Sequence, residues 1–418
     1  MATEAPATDD RARTERPPHV PADRVYEIDM YKPDGIETEG YLKSWKTLQD
    51  KDLPGLVWSP FNGGHWVATR GALISEIYKD PERFSSQVLF IPKAAGEAYS
   101  MVPSKMDPPE HRSYREVVDR GLNLRSIRER EPQVRAIAVE LLDSFAKRGH
   151  CDFGKDFSDE FPIRVFMAIA DLPMADAPKL RAFASGMTRP GGNTPEEMAA
   201  NLDRANKSFF DYVEVLIQER RGKGGTDIIS LCIHSEIDGK PMPHQKLLGM
   251  ISLLLLAGLD SVTNFMNMMM DFLARHPGTV RQLADNPADI KRAVEEMFRR
   301  FPLVAAARMI ARDIELDGVE LKAGEMVLLP TALSGLDERQ NPDPWKLDVK
   351  RGRPAHSTFG EGPHRCAGLH LARLETTILL EEWIQRIPEF RAKAGSEPHY
   401  ESGVVASVEN IHLEWDVA

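Results

Sequence analysis

Three short segments bring together residue types able to do chemistry. The first is FGEGPHRCAG, Phe359 to Gly368. Gly360 and Gly362 let the backbone take φ > 0 and come close to a flat cofactor. Cys366 follows at the expected first turn of the helix LHLARLETTILLEEWI. Free N–H groups and the helix dipole stabilise a thiolate there; a structural buried cysteine in a glycine-rich turn is the plain alternative. The second segment is LLLLAGLDSVTNF. Its Ala257-Gly258 pair removes bulk from an apolar run and loosens the helix ladder. Asp260-Ser261 then sets an acid beside a hydroxyl, a pairing suited to proton transfer, although a helix turning its polar face reads the same way. The third is Glu296-Met297-Phe298-Arg299, with Glu296 and Arg299 three apart on one helix face. Alone, such a pair is a weak surface contact.

These segments need elements to position them. A long helix is predicted from about Pro243 to His276, stopped by Pro277. At 1.5 Å per residue it would span roughly 50 Å and carry Asp260 and Ser261. A second helix, about Ala288 to Phe301, carries Glu296 and Arg299. Asp107-Pro108-Pro109-Glu110 reads as a helix start, with Asp107 as cap and Glu110 at the capping-box position. LVWSPFNGGHWVATR reads as a hairpin around Asn62-Gly63-Gly64. DIELDGVELKAGEMVLLP carries strand turns at Asp317-Gly318 and Ala323-Gly324. The fold class is mainly α with minor β. The β-rich portions are expected at about 53–70, 311–330 and 390–418, within one domain over residues 21–418. Residues 1–20, Pro-rich and charged, are expected to form a flexible arm.

Composition narrows the function classes. The chain has 418 residues, 42% of them apolar, enough for a large core. A net charge of -11 argues against non-specific nucleic-acid binding, which needs a basic face. Cys151, Cys232 and Cys366 make neither a disulfide framework nor a zinc pattern, so a reducing cytoplasm is expected. The N-terminus shows no apolar signal core. The apolar run Leu247 to Leu259 falls short of the ~20 residues of a membrane span and reads as a buried helix. The expected protein is therefore cytoplasmic, bound to neither membrane nor nucleic acid, and a monomer.

The pattern Phe-Gly-x-Gly-x-His-x-Cys-x-Gly, complete from Phe359 to Gly368, resembles the haem-binding signature of the cytochrome P-450 family. The resemblance implies the cytochrome P-450 fold: one large triangular-prism domain with haem b between the long central helix and the cysteine-loop helix. Cys366 would be the axial iron ligand, and its thiolate would push electron density onto the iron and favour O–O cleavage. Asp260-Ser261 is similar to the family's acid–alcohol pair, in which the alcohol hydrogen-bonds bound oxygen and the acid feeds protons. Most members have threonine where Ser261 stands; serine keeps the hydroxyl and loses the methyl that restricts χ1. Glu296 and Arg299 would form a buried structural pair behind the haem. Lys346 falls at the place of its usual Arg or His third partner, with Arg351 nearby.

The resemblance extends along nearly the whole chain to the branch of bacterial camphor 5-monooxygenases and related terpenoid hydroxylases. NGGHW, FIPKAAGEAY, MDPPEHRSYR, LSGLDER and HLARLE are among the stretches that carry it. By position, Tyr99 would hydrogen-bond a substrate carbonyl. Phe90, Met101, Met187, Thr188 and Leu253 would wall the pocket, with Leu256, Val304, Val404 and Val405. Phe359 and Gly368 belong to the cofactor loop, while Arg115, Arg308 and His364 would bind the propionates, with His111 as a further polar contact. Arg181 and Arg189 would pair with Asp260. Two positions depart from the camphor enzyme: Ala306 replaces an acid, and Met101 replaces an aromatic. Flexible methionine suits an altered ligand shape, so a small terpenoid-like ketone is the implied substrate. The implied reaction inserts one atom of O2 into an unactivated C–H bond. No GxGxxG or spare length is present, so the implied electron donor is a two-iron ferredoxin with an NADH-dependent reductase. Arg112, Arg115 and Arg365 would form its docking patch. A haem-thiolate sensor or carrier and a peroxide-driven hydroxylase are the rival readings.

Overall fold

The computed structural model describes residues 13–97, 100–188, 195–258 and 260–417. The helices that build the site are, in chain order, α1 (Gly71–Lys79), α2 (Glu110–Leu122), α3 (Leu124–Phe145) and α4 (Phe161–Ile169). They continue with α5 (Ala177–Thr188), α6 (Pro195–Arg220), α7 (His244–Ala257), α8 (Asp260–Arg275), α9 (Ile290–Arg300) and α10 (Leu369–Arg386). The strands nearest the site are β1 (Leu56–Ser59), β2 (His65–Ala68), β3 (Phe84–Ser85), β4 (Ala305–Ile310), β5 (Ile314–Leu316), β6 (Val319–Leu321), β7 (Met326–Pro330), β8 (His399–Glu401) and β9 (Ser407–Glu409).

The predicted hairpin forms, with Leu56 opposite Ala68 and Ser59 opposite His65. Asn62, Gly63 and Gly64 all take positive φ in its turn, a conformation that Gly and Asn adopt at least cost. The sheet runs in the order β1-β2-β7-β4-β3, with β2 and β7 parallel and β7 and β4 antiparallel. β5 and β6 pair around Asp317-Gly318. On the helical side, α10 lies against α3 and α9. Trp383 of α10 is fully buried, with the rings of Phe145, Phe153 and Trp415 packed around it at 5.6–6.0 Å. Residues 13–20, the described part of the expected arm, rest on the hairpin. Thr14 N donates to Pro60 O at 2.8 Å, and Val20 is buried.

Two local expectations are corrected. The long helix predicted from Pro243 to His276 runs from His244 to Arg275 but is interrupted, with Gly258 in a turn between α7 and α8. Glycine weakens a helix interior by about 0.5–1 kcal/mol relative to alanine. Gly258 also lines an interior cavity, so no side chain packs there to hold the ladder. Asp107 does not cap α2 with its side chain. Its carboxylate accepts from Ser86 N at 2.7 Å and Ser85 Oγ at 2.5 Å, tying the start of α2 to β3.

Glu296 and Arg299 are both buried, as the resemblance implied. Arg299 donates to both carboxylate oxygens, from Nε at 2.9 Å and Nη2 at 2.8 Å. Its remaining donors reach the carbonyls of Gly335, Pro344 and Lys346. The third partner is Arg351, whose Nε lies 2.9 Å from Glu296 Oε1. Lys346 contributes only its carbonyl. The turn closed by Lys346 N on Asp343 O leaves the Lys346 side chain exposed. Gly335 is pressed so closely here that a Cβ would stand 2.0 Å from Arg299 O. Removing one partner of a buried ion pair strands the other. Arg299→Ala is therefore expected to lower the unfolding free energy by about 3–5 kcal/mol. A urea titration would show this as a lower midpoint at unchanged slope; a change below about 1 kcal/mol would mean that Glu296 is compensated elsewhere.

Candidate active site

The loop before α10 is held open by its glycines. Gly360 and Gly362 have φ of 63° and 65°. Gly360 lines an interior cavity, as its spacing suggested. Gly362 serves a different neighbour: a Cβ there would stand 2.6 Å from Tyr78 O, at the end of α1. Glu361 strengthens the same contact, accepting from Ser75 Oγ at 2.9 Å and pairing with Lys79 at 2.8 Å. Cys366 N donates to Phe359 O at 2.7 Å, which closes the loop. The thiol is set deep in the protein, and its accessible surface faces the cavity rather than bulk solvent. Burial pushes its pKa up, against the pull of the Gly368 N–H and of Arg115, Arg373 and Arg365.

One side of this cavity is a cradle of unmatched donors. His364 lines the cavity and His111 lies behind it, with ring centroids 4.1 Å apart and planes tilted by 50°; among the described residues Nε2 of each is buried without a hydrogen-bond partner. Burial lowers both pKa values, His364 to about 3, so both rings are neutral and each can donate one N–H. Arg308 is buried on β4, donating to Ala307 O at 2.8 Å and lying 5.0 Å from the Tyr78 ring centroid. Among the described residues it has no carboxylate partner. A buried guanidinium without an anion is costly. The cradle therefore fits a ligand that brings carboxylates, and the haem b propionates, with Cys366 beside the ring, meet that need.

The cavity is about 420 Å³. Cys366, Phe359, His364, Gly368, Arg115 and Arg308 all line it, as does Ser261. Of the expected substrate walls, Phe90, Met101, Leu253, Val304 and Val404 line it too. Leu256 and Val405 pack into the surrounding core instead. Val404 stands in a bend that turns it to the cavity. Val405 instead bridges Val304. Tyr99 and Arg189 lie outside the described residues, as do the side chains of Met187 and Thr188 at the end of α5. Asp260 is not on the cavity wall. It begins α8 directly beside Ser261, and its carboxylate accepts from Asn264 Nδ2 at 3.0 Å. Arg181, expected on Asp260, pairs with Glu160 at 2.6 Å.

Arg115 was expected both in the cradle and on a docking face. Its guanidinium lines the cavity and pairs with Asp119 at 2.7 Å, which turns it away from a docking role. Arg112 is exposed and pairs with Glu116 at 3.3 Å. Arg365 is exposed and also lines a surface cleft of about 740 Å³. Lys291 and Arg353 share that cleft, and among the described residues neither has a carboxylate partner.

Glu375 is the cavity residue that the sequence reading missed. It lines the wall from α10 and is buried, and burial holds its carboxyl well above the ordinary range, so it is protonated. It is an acid in LARLETTILL, on a helix that is buried nearly all round, and the mixed polar and apolar sequence of that helix does not show it. Tyr78, under Arg308, was also missed; nothing in its local pattern separates it from an ordinary core tyrosine.

Comparison with known proteins agrees with this geometry. The family model for Cytochrome P450 matches residues 290–405. A probable cytochrome P450 127A1 of Sinorhizobium fredii is 31% identical over 406 residues, 96% of each chain. The mycinamicin IV hydroxylase/epoxidase of Micromonospora griseorubida is 31% identical over 350 residues, 82% of this chain and 87% of its own length. Among solved structures, CYP101J2 superposes with a TM-score of 0.88 at 40% identity, over 97% of this chain and 100% of its own. CYP101C1 does so with 0.88 at 36%, over 96% and 100%. Matched end to end by such a relative and by these folds, the chain belongs to the cytochrome P450 family and is a haem b monooxygenase.

Proposed function

We propose that this monooxygenase hydroxylates an unactivated C–H bond of a small, compact terpenoid-like ketone, a camphor-like monoterpenoid or a norisoprenoid. The observation that carries the reading is the cavity. Beside the residues that would hold the haem, apolar side chains such as Phe90, Leu253, Val304 and Val404 wall it, which suits a compact apolar ligand. Haem b held at Cys366 supplies the reductive activation of O2. His111, Arg115, Arg308 and His364 would hold its propionates. Ser261 Oγ offers a hydroxyl at the cavity wall, and the Asp260 carboxyl holds and passes the protons that the reaction consumes. Two electrons come from a two-iron ferredoxin reduced by an NADH-dependent reductase, in the cytoplasm. The surface at Arg365, with Lys291 and Arg353, supports docking of such an acidic donor, and Arg112 lies exposed on the same chain.

A spin-state titration over a panel of terpenoids tests the substrate class. Compact ketones should shift the spin state at micromolar concentration, and a response only to large macrocycles would refute the class. NADH consumption with ferredoxin, set against peroxide alone, tests the electron source. Peroxide-driven turnover equal to the ferredoxin rate would favour the rival hydroxylase, and no oxidation by either route would favour a carrier.

Tyr99 is proposed to orient the ketone. Few polar groups fix a ligand in an apolar pocket. Tyr99→Phe should weaken ketone binding by roughly 0.5–1.5 kcal/mol, the scale of one neutral hydrogen bond. It should spare hydrocarbons of the same shape and broaden the product mixture from the ketone, because the substrate can then tumble. Equal losses for a matched ketone and hydrocarbon, with an unchanged product ratio, would remove Tyr99 from that role.

A further inference from the structure

One buried amide joins the pocket wall to the proposed proton donor. Asn264 lies one turn beyond Asp260 on α8 and is buried. Its Oδ1 accepts from Val408 N at 2.8 Å. A backbone N–H can only donate, so this bond fixes which end of the amide is oxygen. The Nδ2 end therefore faces Asp260, where it donates to Oδ1 at 3.0 Å and to the backbone O at 2.9 Å.

Val408 belongs to β9, and the chain just before it forms part of the cavity. Val404 lines the cavity, and its O accepts from Ala305 N at 2.9 Å. Ala406 N donates to Leu303 O at 3.0 Å. A second asparagine holds the same strand. Asn267 Nδ2 donates to Val408 O at 2.9 Å, and its Oδ1 accepts from Ser158 Oγ at 2.6 Å. Both backbone groups of Val408 are thus bonded to α8 side chains, but only one of the two asparagines reaches Asp260.

We propose that Asn264 is a positioning residue that couples occupancy of the pocket at Val404 to the setting of the Asp260 carboxyl. The proposal rests on the reading of Asp260 as the proton-passing acid. Its physical basis is that buried polar partners do not part freely. When a substrate shifts the wall at Val404, the Val408 N–H moves with its strand and the amide follows. The NH2 at the other end then carries the displacement to Asp260. A plain tether of β9 to α8 needs no such arrangement, because Asn267 already supplies one.

The test compares Asn264→Asp, Asn264→Ala, Asp260→Asn and the Asn264→Asp/Asp260→Asn double variant as holoenzymes, with the carbonyl spectrum as the check on fold. The probe is whichever of camphor, fenchone or ionone gives the largest spin-state shift. Asn264→Asp keeps the acceptor for Val408 and removes the donor to Asp260. It should leave substrate Kd within about twofold while turnover and the product formed per NADH fall about tenfold. Asn264→Ala loses both ends and should weaken substrate binding as well. The double variant should be no slower than Asp260→Asn, because a residue acting through Asp260 has nothing left to set. A carboxyl band in the substrate-minus-free infrared difference spectrum, lost in Asp260→Asn, should also be lost in Asn264→Ala. If Asp260→Asn is slow but Asn264→Asp turns over like the parent, or if the two losses multiply, the coupling is wrong and the acid stands. If Asp260→Asn turns over like the parent, the acid assignment fails and the coupling with it.

Discussion

Cys366→Ser is expected to abolish the thiolate-type band of the reduced carbonyl complex and to bring turnover to background. The loop should survive the exchange, because its closing bond is from Cys366 N to Phe359 O and the glycines on either side keep their conformations. What is lost is the sulfur that faces the cavity. Burial works against its anion and the Gly368 N–H and three arginines work for it, and bound iron would favour it further, whereas a serine hydroxyl in the same place stays neutral at ordinary pH. Without the thiolate's push of electron density, O–O cleavage is no longer favoured. A serine variant that retains the band, or a parent spectrum typical of histidine ligation, would refute the assignment of Cys366.

The second large effect is expected at Asp260. Asp260→Asn should slow turnover by ~10²-fold, the scale of a lost general acid, about 2.7 kcal/mol of barrier at 1.36 kcal/mol per tenfold. Substrate binding should hardly change, because Asp260 is set back from the cavity wall while Ser261 lines it. The change is nearly isosteric and Asn264 can still donate to the new side-chain oxygen, so the fold should not respond. Unchanged turnover, with chemistry rate-limiting, would take Asp260 out of the proton path. A spin-state titration separates this outcome from a defect in binding.

The parts of the site that follow from local chemistry were readable in the chain. The Phe359–Gly368 pattern, the Glu296/Arg299 spacing and the Asn62-Gly63-Gly64 turn each depend on neighbours close in sequence, and each forms. Readings that needed partners far away in the chain fared less well. Asp107 looked like a helix cap, yet the N–H of Ser86 was a better-placed donor. Lys346 stood at the expected place in the ion-pair network, but Arg351 reaches Glu296. Arg115 was a plausible surface cation until the cavity gave it an inward face. Gly258 interrupts the central helix at the cavity wall, and no window of sequence shows which residues face a cavity. Glu375 carries no local motif; only burial marks it.

The seat of Gly362 against the end of α1 has a consequence in time. Tyr78 and Lys79 are made long before the loop that must settle on them. Closing so long a loop costs entropy before any contact repays it, and such contacts form late. The seat for the cofactor therefore does not exist on a nascent chain. Haem loading of this protein is expected to wait until the loop has seated on the end of α1.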